Sequence, residues 1–324
     1  MKPVSQIKVP AAHEIRAPVA IKNIAPVKSI GVGLLLAVLG AIAFSGKAII
    51  VKLAYRYGVD AVTLIMLRML FALPIFAVMA WWASRGKAAL TRRDWLGVAW
   101  LGITGYYLAS FLDFAGLAYI SASLERLILY LNPTLVMLLG LVLYRRHVLP
   151  RQVVGMAISY CGVALVFGHE VAQQGFSERG NTVLGGFLVF LSAISYAVYL
   201  VYSGEMVKRI GSLRLVGLAS TVACLCCLLQ FVLLRPLSVA FEVAPEVVWL
   251  SLLNATLCTA APVLMVMMAI ERIGASMAAQ TGMIGPMSTI LMGVLILGEP
   301  FTGWVAAGSV LVIAGIFVFS RANR

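Results

Sequence analysis

Five ionisable side chains lie within long apolar stretches of this 324-residue chain: Lys47, Lys52, Arg68, Asp113 and Glu125. A charged group inside a bilayer is costly, so such residues usually face the interior of a helix bundle and mark a path for substrates or ions. Lys47 falls near the middle of its stretch, where a lysine has little room to reach water. We therefore predict that Lys47 lines a substrate cavity, in which its ammonium attracts a carboxylate or a phosphate.

The other four charges share one half of the membrane and form the predicted charge network. An unpaired charge is expensive in a medium of low dielectric constant, so we expect Arg68 to pair with Asp113 or Glu125. Such a network would close one side of the protein or bind a charged substrate. For Lys52 and Glu125, side chains that extend to water at the membrane surface remain an equal alternative.

Polar side chains also recur at helical spacing in several of the apolar stretches. Tyr106, Ser110 and Asp113 are separated by four and three residues, which places them on one face of a helix. In lipid, such a face turns toward a cavity or toward another helix, and hydrogen bonding between helices without a substrate remains open. The predicted cavity residues are Phe44, Ser45, Lys47, Tyr106, Ser110, Ser195, Tyr199, Asn254 and Gln280.

The elements that must position these residues are membrane-spanning helices. The chain is 62% hydrophobic and 11% charged, whereas soluble domains carry about 25% charged residues. A helix needs about 20 mainly apolar residues to cross a bilayer, and only helices satisfy their own backbone hydrogen bonds there. Ten such runs occur, at 31–54, 60–83, 95–118, 122–143, 149–168, 183–206, 212–234, 247–269, 275–297 and 301–320.

The basic residues predict the orientation of these spans. With the N-terminus inside, the cytoplasmic segments hold 18 of the 25 lysines and arginines, and the outer segments hold four: Arg56, Arg126, Arg179 and Arg235. This bias predicts that both termini are cytoplasmic. Residues 1–29 are polar and proline-rich, as in a disordered cytoplasmic tail. The net charge of +13 therefore reflects membrane topology, and we expect no nucleic acid partner.

Two halves of the chain are related by an internal repeat. An offset of 153 residues aligns 119–140 with 272–293 without gaps, and it pairs Pro133 with Pro286 and Gly140 with Gly293. Each half, 30–168 and 183–320, contains five spans, so the second half must begin on the opposite side of the membrane. The sequence thus predicts an all-α integral membrane protein of ten transmembrane helices in two inverted five-helix repeats, a design frequent among secondary transporters.

Other classes of function lack a supporting pattern. His13, His147 and His169 lie outside the predicted spans, and no HExxH, GxSxG or P-loop motif occurs. We expect no cofactor and no metal site. Because no nucleotide-binding motif occurs, the energy for transport would come from gradients of ions or of the substrate, the proton gradient among them. A membrane-embedded enzyme, or a channel or scaffold without a transport cycle, is the alternative. The predicted partners are a small-molecule substrate and membrane lipid, and the oligomeric state stays open.

Several segments resemble EamA-type proteins of the drug/metabolite transporter superfamily. The similarity lies in the first helix, 44–58, in Arg68, and in 116–133 and 295–318, and it extends over about 31–320. The resemblance implies ten helices and transport of small organic solutes, often export, in a bacterial inner membrane. The sequence departs from the family at three positions. Phe44 stands where a tryptophan is usual, and Lys47 stands where a neutral polar residue is usual. Arg146 replaces a glutamate that is frequent in the first repeat, whereas the second repeat keeps this glutamate as Glu299.

Overall fold

A computed structural model of the chain describes residues 27–144, 149–173, 176–281 and 284–321. The described residues form helices and connecting turns and contain no strand. Residues 1–26 of the predicted tail lie outside the description, and the first helix begins at Val27, so residues 27–29 belong to that helix and not to the tail. The predicted all-helical membrane fold is confirmed.

The described residues form ten apolar helices, α1 to α10, in chain order. Eight of them contain segments long and apolar enough to cross a membrane, and α9 and α10 carry shorter apolar segments, Met287–Leu297 and Gly303–Val318. The bounds are α1 Val27–Tyr55, α2 Ala61–Ser84, α3 Arg92–Leu117, α4 in two parts, Ala122–Leu129 and Asn132–Tyr144, α5 Pro150–Gln173, α6 Phe176–Ile210, α7 Ser212–Leu234, α8 245–281, α9 285–297 and α10 Gly303–Arg321.

The predicted span boundaries differ most from the structure at the junction of α8 and α9. The sequence predicts that the eighth span ends at 269 and the ninth begins at 275, whereas helical structure continues to Thr281 and resumes at Gly285. The reason lies in local propensity, since the stretch between 270 and 281 contains no proline and three alanines, which favour helix. The number of apolar helices is unaffected.

Three of the helices contain a π-helical segment. Gly102–Leu108 interrupts α3, Thr256–Ala260 interrupts α8, and Gly293–Leu297 ends α9. The segments in α3 and α8 occupy equivalent positions, because the offset of 153 residues relates 103–107 to 256–260. Short π-helical segments often mark functional sites, since they turn side chains away from the regular helical faces.

The contacts between helices follow a two-fold symmetry. The most extensive contacts are α5 with α10, α2 with α7, α1 with α8 and α3 with α6. An axis that exchanges each helix with the one five positions later maps the first two pairs onto themselves and converts the α3–α6 pair into the α8–α1 pair. The two five-helix halves therefore assemble as the inverted repeat predicts.

The contact between α5 and α10 shows this symmetry at the level of single residues. A methyl group at Gly162 would lie 2.7 Å from the carbonyl oxygen of Gly308, and one at Gly315 would lie 2.5 Å from that of Gly155. The repeat offset converts the first of these pairs into the second. The Ser159 hydroxyl lies 3.4 Å from the carbonyl oxygen of Val312, its own counterpart in the other repeat. The axis therefore passes through this contact, where two helix backbones touch.

Candidate functional site

A buried ion pair joins α1 to α3 inside the bundle. The Lys47 ammonium lies 2.5 Å from Oδ2 of Asp113, and the two side chains are 8% and 2% exposed. Asn254 of α8 donates a hydrogen bond of 3.4 Å to the backbone carbonyl of Lys47. The midplane lysine singled out by the sequence thus has a carboxylate partner in this conformation, and both repeats contact it.

Glu125 lies beside this pair on α4 and is completely buried. Its charged neighbours are Asp113, Arg126 and Lys47. The nearest approach to a cation is 3.9 Å, from Oε2 to Nε of Arg126, and neither carboxylate oxygen accepts a hydrogen bond from the residues that the structure describes. The alternative that Glu125 extends to water at the membrane surface is therefore wrong.

Arg126 is a site residue that the sequence prediction missed, because it was assigned to an outer segment. The structure buries it on α4, where Nε donates to the Thr289 hydroxyl at 3.0 Å and Nη2 approaches the carbonyl oxygen of Ser45 at 3.5 Å. Thr289 belongs to α9 and Ser45 to α1, so Arg126 connects three helices. Its position after Glu125, inside the predicted span 122–143, was the available signal.

Arg68 does not pair with Asp113 or Glu125 in this conformation. Its Nε donates to the Thr259 hydroxyl at 3.1 Å, and its guanidinium lies over the Phe114 ring at 5.1 Å from the centroid. Thr259 belongs to the π-helical segment of α8, so Arg68 of α2 contacts the second repeat. Asp113 forms its ion pair with Lys47 of α1 instead. Nη1 of Arg68 is buried and has no hydrogen-bond partner in the described part of the chain.

These five residues, Lys47, Arg68, Asp113, Glu125 and Arg126, form what we call the central cluster. They come from α1, α2, α3 and α4 of the first repeat, and their contacts reach α8 and α9 of the second. The cluster occupies the place where the two repeats meet.

Lys52 belongs to a separate layer near the C-terminal end of α1. Its ammonium donates to the carbonyl oxygens of Leu117, at 3.2 Å, and Ile120, at 3.0 Å. Leu117 ends α3 and Ile120 lies in the turn that follows it, and a cation stabilises the negative end of a helix dipole. Lys52 therefore holds the α3–α4 turn and lies apart from the charge pairs of the central cluster.

Two carboxylates hold the beginning of α4 at the same end of the bundle. Glu299, just after α9, accepts hydrogen bonds from the backbone of Ala122 at 2.7 Å and from the Ser123 hydroxyl at 2.7 Å. Glu170 of α5 accepts from the Ser121 hydroxyl and backbone amide. The first amide groups of a helix have no partner within the helix, and the two acids supply one. We call Lys52, Glu170 and Glu299 the outer clasp, after the side on which the basic residues predict this end of the bundle to lie.

The predicted polar stripe on α6 takes part in packing between helices. The Ser195 hydroxyl donates to the carbonyl oxygen of Thr104 at 2.8 Å, and the hydroxyls of Tyr106 and Tyr199 lie 3.1 Å apart. The tyrosine pair lies between α3 and α6, the contact that the repeat symmetry relates to that of α8 with α1. The hydrogen-bonding alternative describes Ser195 in this conformation. Ser110 is half-buried on α3.

Other predicted cavity residues surround the central cluster. The Ser45 hydroxyl lies 2.8 Å from the carbonyl oxygen of Gly285 on α9. The Phe44 ring lies between two cations, with the Lys47 ammonium 5.6 Å and the Arg126 guanidinium 5.7 Å from its centroid. The side chain of Gln280 lies outside the described part of the structure.

Comparison with known proteins places this arrangement among transporters. The sequence model of the EamA-like transporter family matches residues 31–168 and 183–321, which are the two repeats. The uncharacterized transporter YcbK of Bacillus subtilis is 28% identical over 279 residues, 84% of this chain and 88% of the relative. An uncharacterized transporter of Archaeoglobus fulgidus is 24% identical over 284 residues, 88% and 96% of the two chains.

A solved crystal structure also has the same fold. It aligns with a TM-score of 0.60 at 19% sequence identity, and the alignment covers 90% of this chain and 96% of the other. At this identity the likeness concerns the fold alone.

Proposed function

Because the chain belongs to the EamA-like transporter family, we propose that it moves a small organic metabolite across the membrane by alternating access, as an exporter of a bacterial inner membrane. The observation that carries this proposal is the central cluster, in which buried charges with unsatisfied atoms lie where the two inverted repeats meet. Buried polar atoms normally have hydrogen-bond partners, and a concentration of charged groups without them between the two repeats is consistent with a site for a polar ligand.

The symmetry of the bundle supports alternating access. In transporters built from inverted repeats, the two halves adopt different conformations and exchange them around a site near the midplane. In this protein, when the two halves exchange conformations, contacts that close one side of the bundle would break and the equivalent contacts on the opposite side would form. The π-helical segments of α3 and α8 lie at equivalent positions and provide two places where the helices can bend.

The orientation is proposed from the distribution of basic residues, with Arg126 no longer counted among the outer ones. Arg126 is buried within the bundle, which leaves Arg56, Arg179 and Arg235 as the basic residues of the outer segments. The excess of positive charge on the other side supports cytoplasmic termini. In this orientation, the outer clasp lies on the outer side.

The outer clasp supports a resting state that is closed to the outside. Glu299 of the second repeat binds the start of α4 in the first repeat, so opening that side must break these bonds. The residue equivalent to Glu299 in the first repeat is Arg146, whose side chain cannot accept hydrogen bonds from amide groups. By sequence, then, a carboxylate at this position belongs to the second repeat alone, and a contact made only in the closed-outside form would favour that form.

Flux measurements on identified cargo test the proposal. Metabolites that accumulate in the medium of cells expressing the protein, and not in that of cells expressing Lys47→Ala, are candidate substrates. Purified protein in proteoliposomes should then transport the labelled compound, and flux with and without a proton gradient tests coupling. Absence of any protein-dependent flux, with folded protein in the liposomes, would overturn the proposal.

A further inference from the structure

The central cluster contains more positive than negative charge. Lys47, Arg68 and Arg126 face only two carboxylates, Asp113 and Glu125, and all five residues are nearly inaccessible to solvent. Even if both carboxylates are ionised, one positive charge has no counterpart in the cluster. A buried charge is stable only when it is paired, so a net positive cluster attracts an anion.

One atom of the cluster shows where this charge is uncompensated. Nη1 of Arg68 is buried without a hydrogen-bond partner among the described residues, and no carboxylate there lies within ion-pair distance of the guanidinium. A guanidinium offers its donors in a planar fork that fits a carboxylate or a phosphate. The unsatisfied donor therefore fits an anionic group, and the unsatisfied oxygens of the same cluster, Oδ1 of Asp113 and both oxygens of Glu125, would accept hydrogen bonds from donor groups of the same molecule.

The contacts of the three cations lead to the surroundings of Cys258, in the π-helical segment Thr256–Ala260 of α8. Arg68 donates to Thr259, the next residue, and Arg126 approaches the carbonyl oxygen of Ser45 on α1. Cys258 is 4% exposed and packs against Gly46, the residue between Ser45 and Lys47, where an added methyl group would lie 3.1 Å from the sulfur atom. In this conformation the thiol is therefore enclosed between α1 and α8.

We propose that Lys47, Arg68 and Arg126 form an anion-binding site around Cys258 that holds the carboxylate or phosphate of the transported molecule. The proposal rests on the transport function proposed above and specifies its substrate class. Without a bound substrate, the Asp113 carboxylate is the counter-ion of the Lys47 ammonium. When the cavity opens, the anion of the substrate takes the place left between the cations, and the excess positive charge is neutralised.

The charge balance also decides between an anion and a cation as cargo. A cationic substrate would raise the net charge of the cluster, and a neutral one would leave it unchanged. Only an anion brings the sum to zero while both carboxylates stay ionised. The Phe44 ring, flanked by Lys47 and Arg126, would lie beside the bound anion.

The native Cys258 thiol provides a test that needs no knowledge of the substrate. Methanethiosulfonate reagents of similar size carry either a sulfonate (MTSES) or a quaternary ammonium (MTSET). The variant Ser238→Cys adds an exposed reference thiol between α7 and α8. Mass spectrometry of the purified protein in liposomes measures the labelling rate at each cysteine separately. The ratio of the MTSES rate to the MTSET rate at Cys258 is then divided by the same ratio at residue 238.

We expect the normalised ratio at Cys258 to favour MTSES by about tenfold or more, because a positive, low-dielectric cavity concentrates anions. Arg68→Gln in the same background should reduce the preference, whereas Arg151→Gln, which removes an exposed arginine at the start of α5, should not. A preference for MTSET, or a ratio unaffected by Arg68→Gln, would overturn the anion site. A thiol that reacts with neither reagent would also overturn it, since a substrate site must open to water.

Protection experiments separate the two kinds of anion. Benzoate and phenyl phosphate carry the same ring with a carboxylate or a phosphate, and benzamide is their neutral control. Slower labelling of Cys258 with one anion and not with benzamide supports the site and identifies the group it prefers; equal effects of all three compounds count against it. Anion-selective labelling without flux would overturn transport alone, and cation-selective labelling with normal flux would overturn the anion site alone.

Discussion

Lys47 and Asp113 form a fully enclosed ion pair between α1 and α3, with 2.5 Å between Nζ and Oδ2. The two residues are 66 positions apart in the chain and belong to the same repeat. Their counterparts in the second repeat carry no matching pair, since Val266 stands in the place of Asp113. The charged site is thus asymmetric, although the arrangement of the helices is two-fold symmetric. Mutation of this pair is therefore the first test.

Lys47→Ala should destabilise the protein as well as stop transport. Removing one partner leaves Asp113 buried without its counter-ion, which costs about 3–5 kcal/mol in a buried pair. The double variant Lys47→Ala/Asp113→Ala leaves no orphan charge in the pair, so its cost should be smaller than the sum of the two single costs. Unfolding of the purified protein in detergent, followed by circular dichroism, measures these differences. Strictly additive costs would show that the two side chains do not stabilise each other.

Arg126→Gln should lower transport much more than Arg235→Gln. The first change removes a buried guanidinium that connects α1, α4 and α9, and the second removes an arginine whose side chain is 43% exposed. Exposed ion pairs contribute about 0–1 kcal/mol, so the control should be nearly neutral. Initial flux in proteoliposomes, corrected for the amount of folded protein, is the measurement. Equal effects would mean that burial of Arg126 has no role in the cycle.

Glu299→Gln should make the outer side open more often. A neutral amide is a weaker acceptor than a carboxylate for the amide groups of Ala122 and Ser123, so the closed-outside form loses stability. A cysteine at Ala122, which is completely buried, serves as the reporter. Its labelling by an impermeant maleimide should accelerate in Glu299→Gln and stay unchanged in Glu242→Gln, which alters an exposed acid in the connection between α7 and α8. Unchanged labelling in both would exclude the clasp as a lock.

Gly162→Ala should destabilise the contact between α5 and α10, and Gly140→Ala should not. The added methyl group would lie 2.7 Å from the carbonyl oxygen of Gly308, a backbone atom that cannot move aside by itself, while nothing lies within 4 Å of the position at Gly140. Overpacking of this kind costs about 1–3 kcal/mol. In the control, Gly140→Ala, alanine is a better helix former than glycine, which stabilises a helix by up to about 1 kcal/mol. The midpoint of thermal unfolding should therefore fall in Gly162→Ala and should rise or stay unchanged in Gly140→Ala.

Topology is tested by cysteine labelling in intact cells. A cysteine at Ala89, between α2 and α3, should react with an impermeant reagent only after the cells are permeabilised, and one at Ser238 should react at once. Both positions are exposed, so a difference in reaction reflects the side of the membrane. Labelling of residue 89 from outside would contradict the proposed orientation.

The sequence by itself determined the architecture of this protein. Apolar length alone decides which segments cross a bilayer, and the equal spacing of Pro133–Pro286 and Gly140–Gly293 shows the duplication. Five spans per repeat then force the inversion. Even a detail of packing follows the sequence, because the offset of 153 residues also relates the close contact of Gly162 with Gly308 to that of Gly155 with Gly315.

Only the tertiary structure decided which charges meet. Position along a helix predicts depth in the membrane, so the sequence could place Arg68, Asp113 and Glu125 at similar depth. Pairing depends also on the rotation of each helix about its axis and on which helix lies next to it, and neither is encoded in local periodicity. For this reason Lys47 faces Asp113, Arg68 faces Thr259, and Arg126 lies inside the bundle and not outside it.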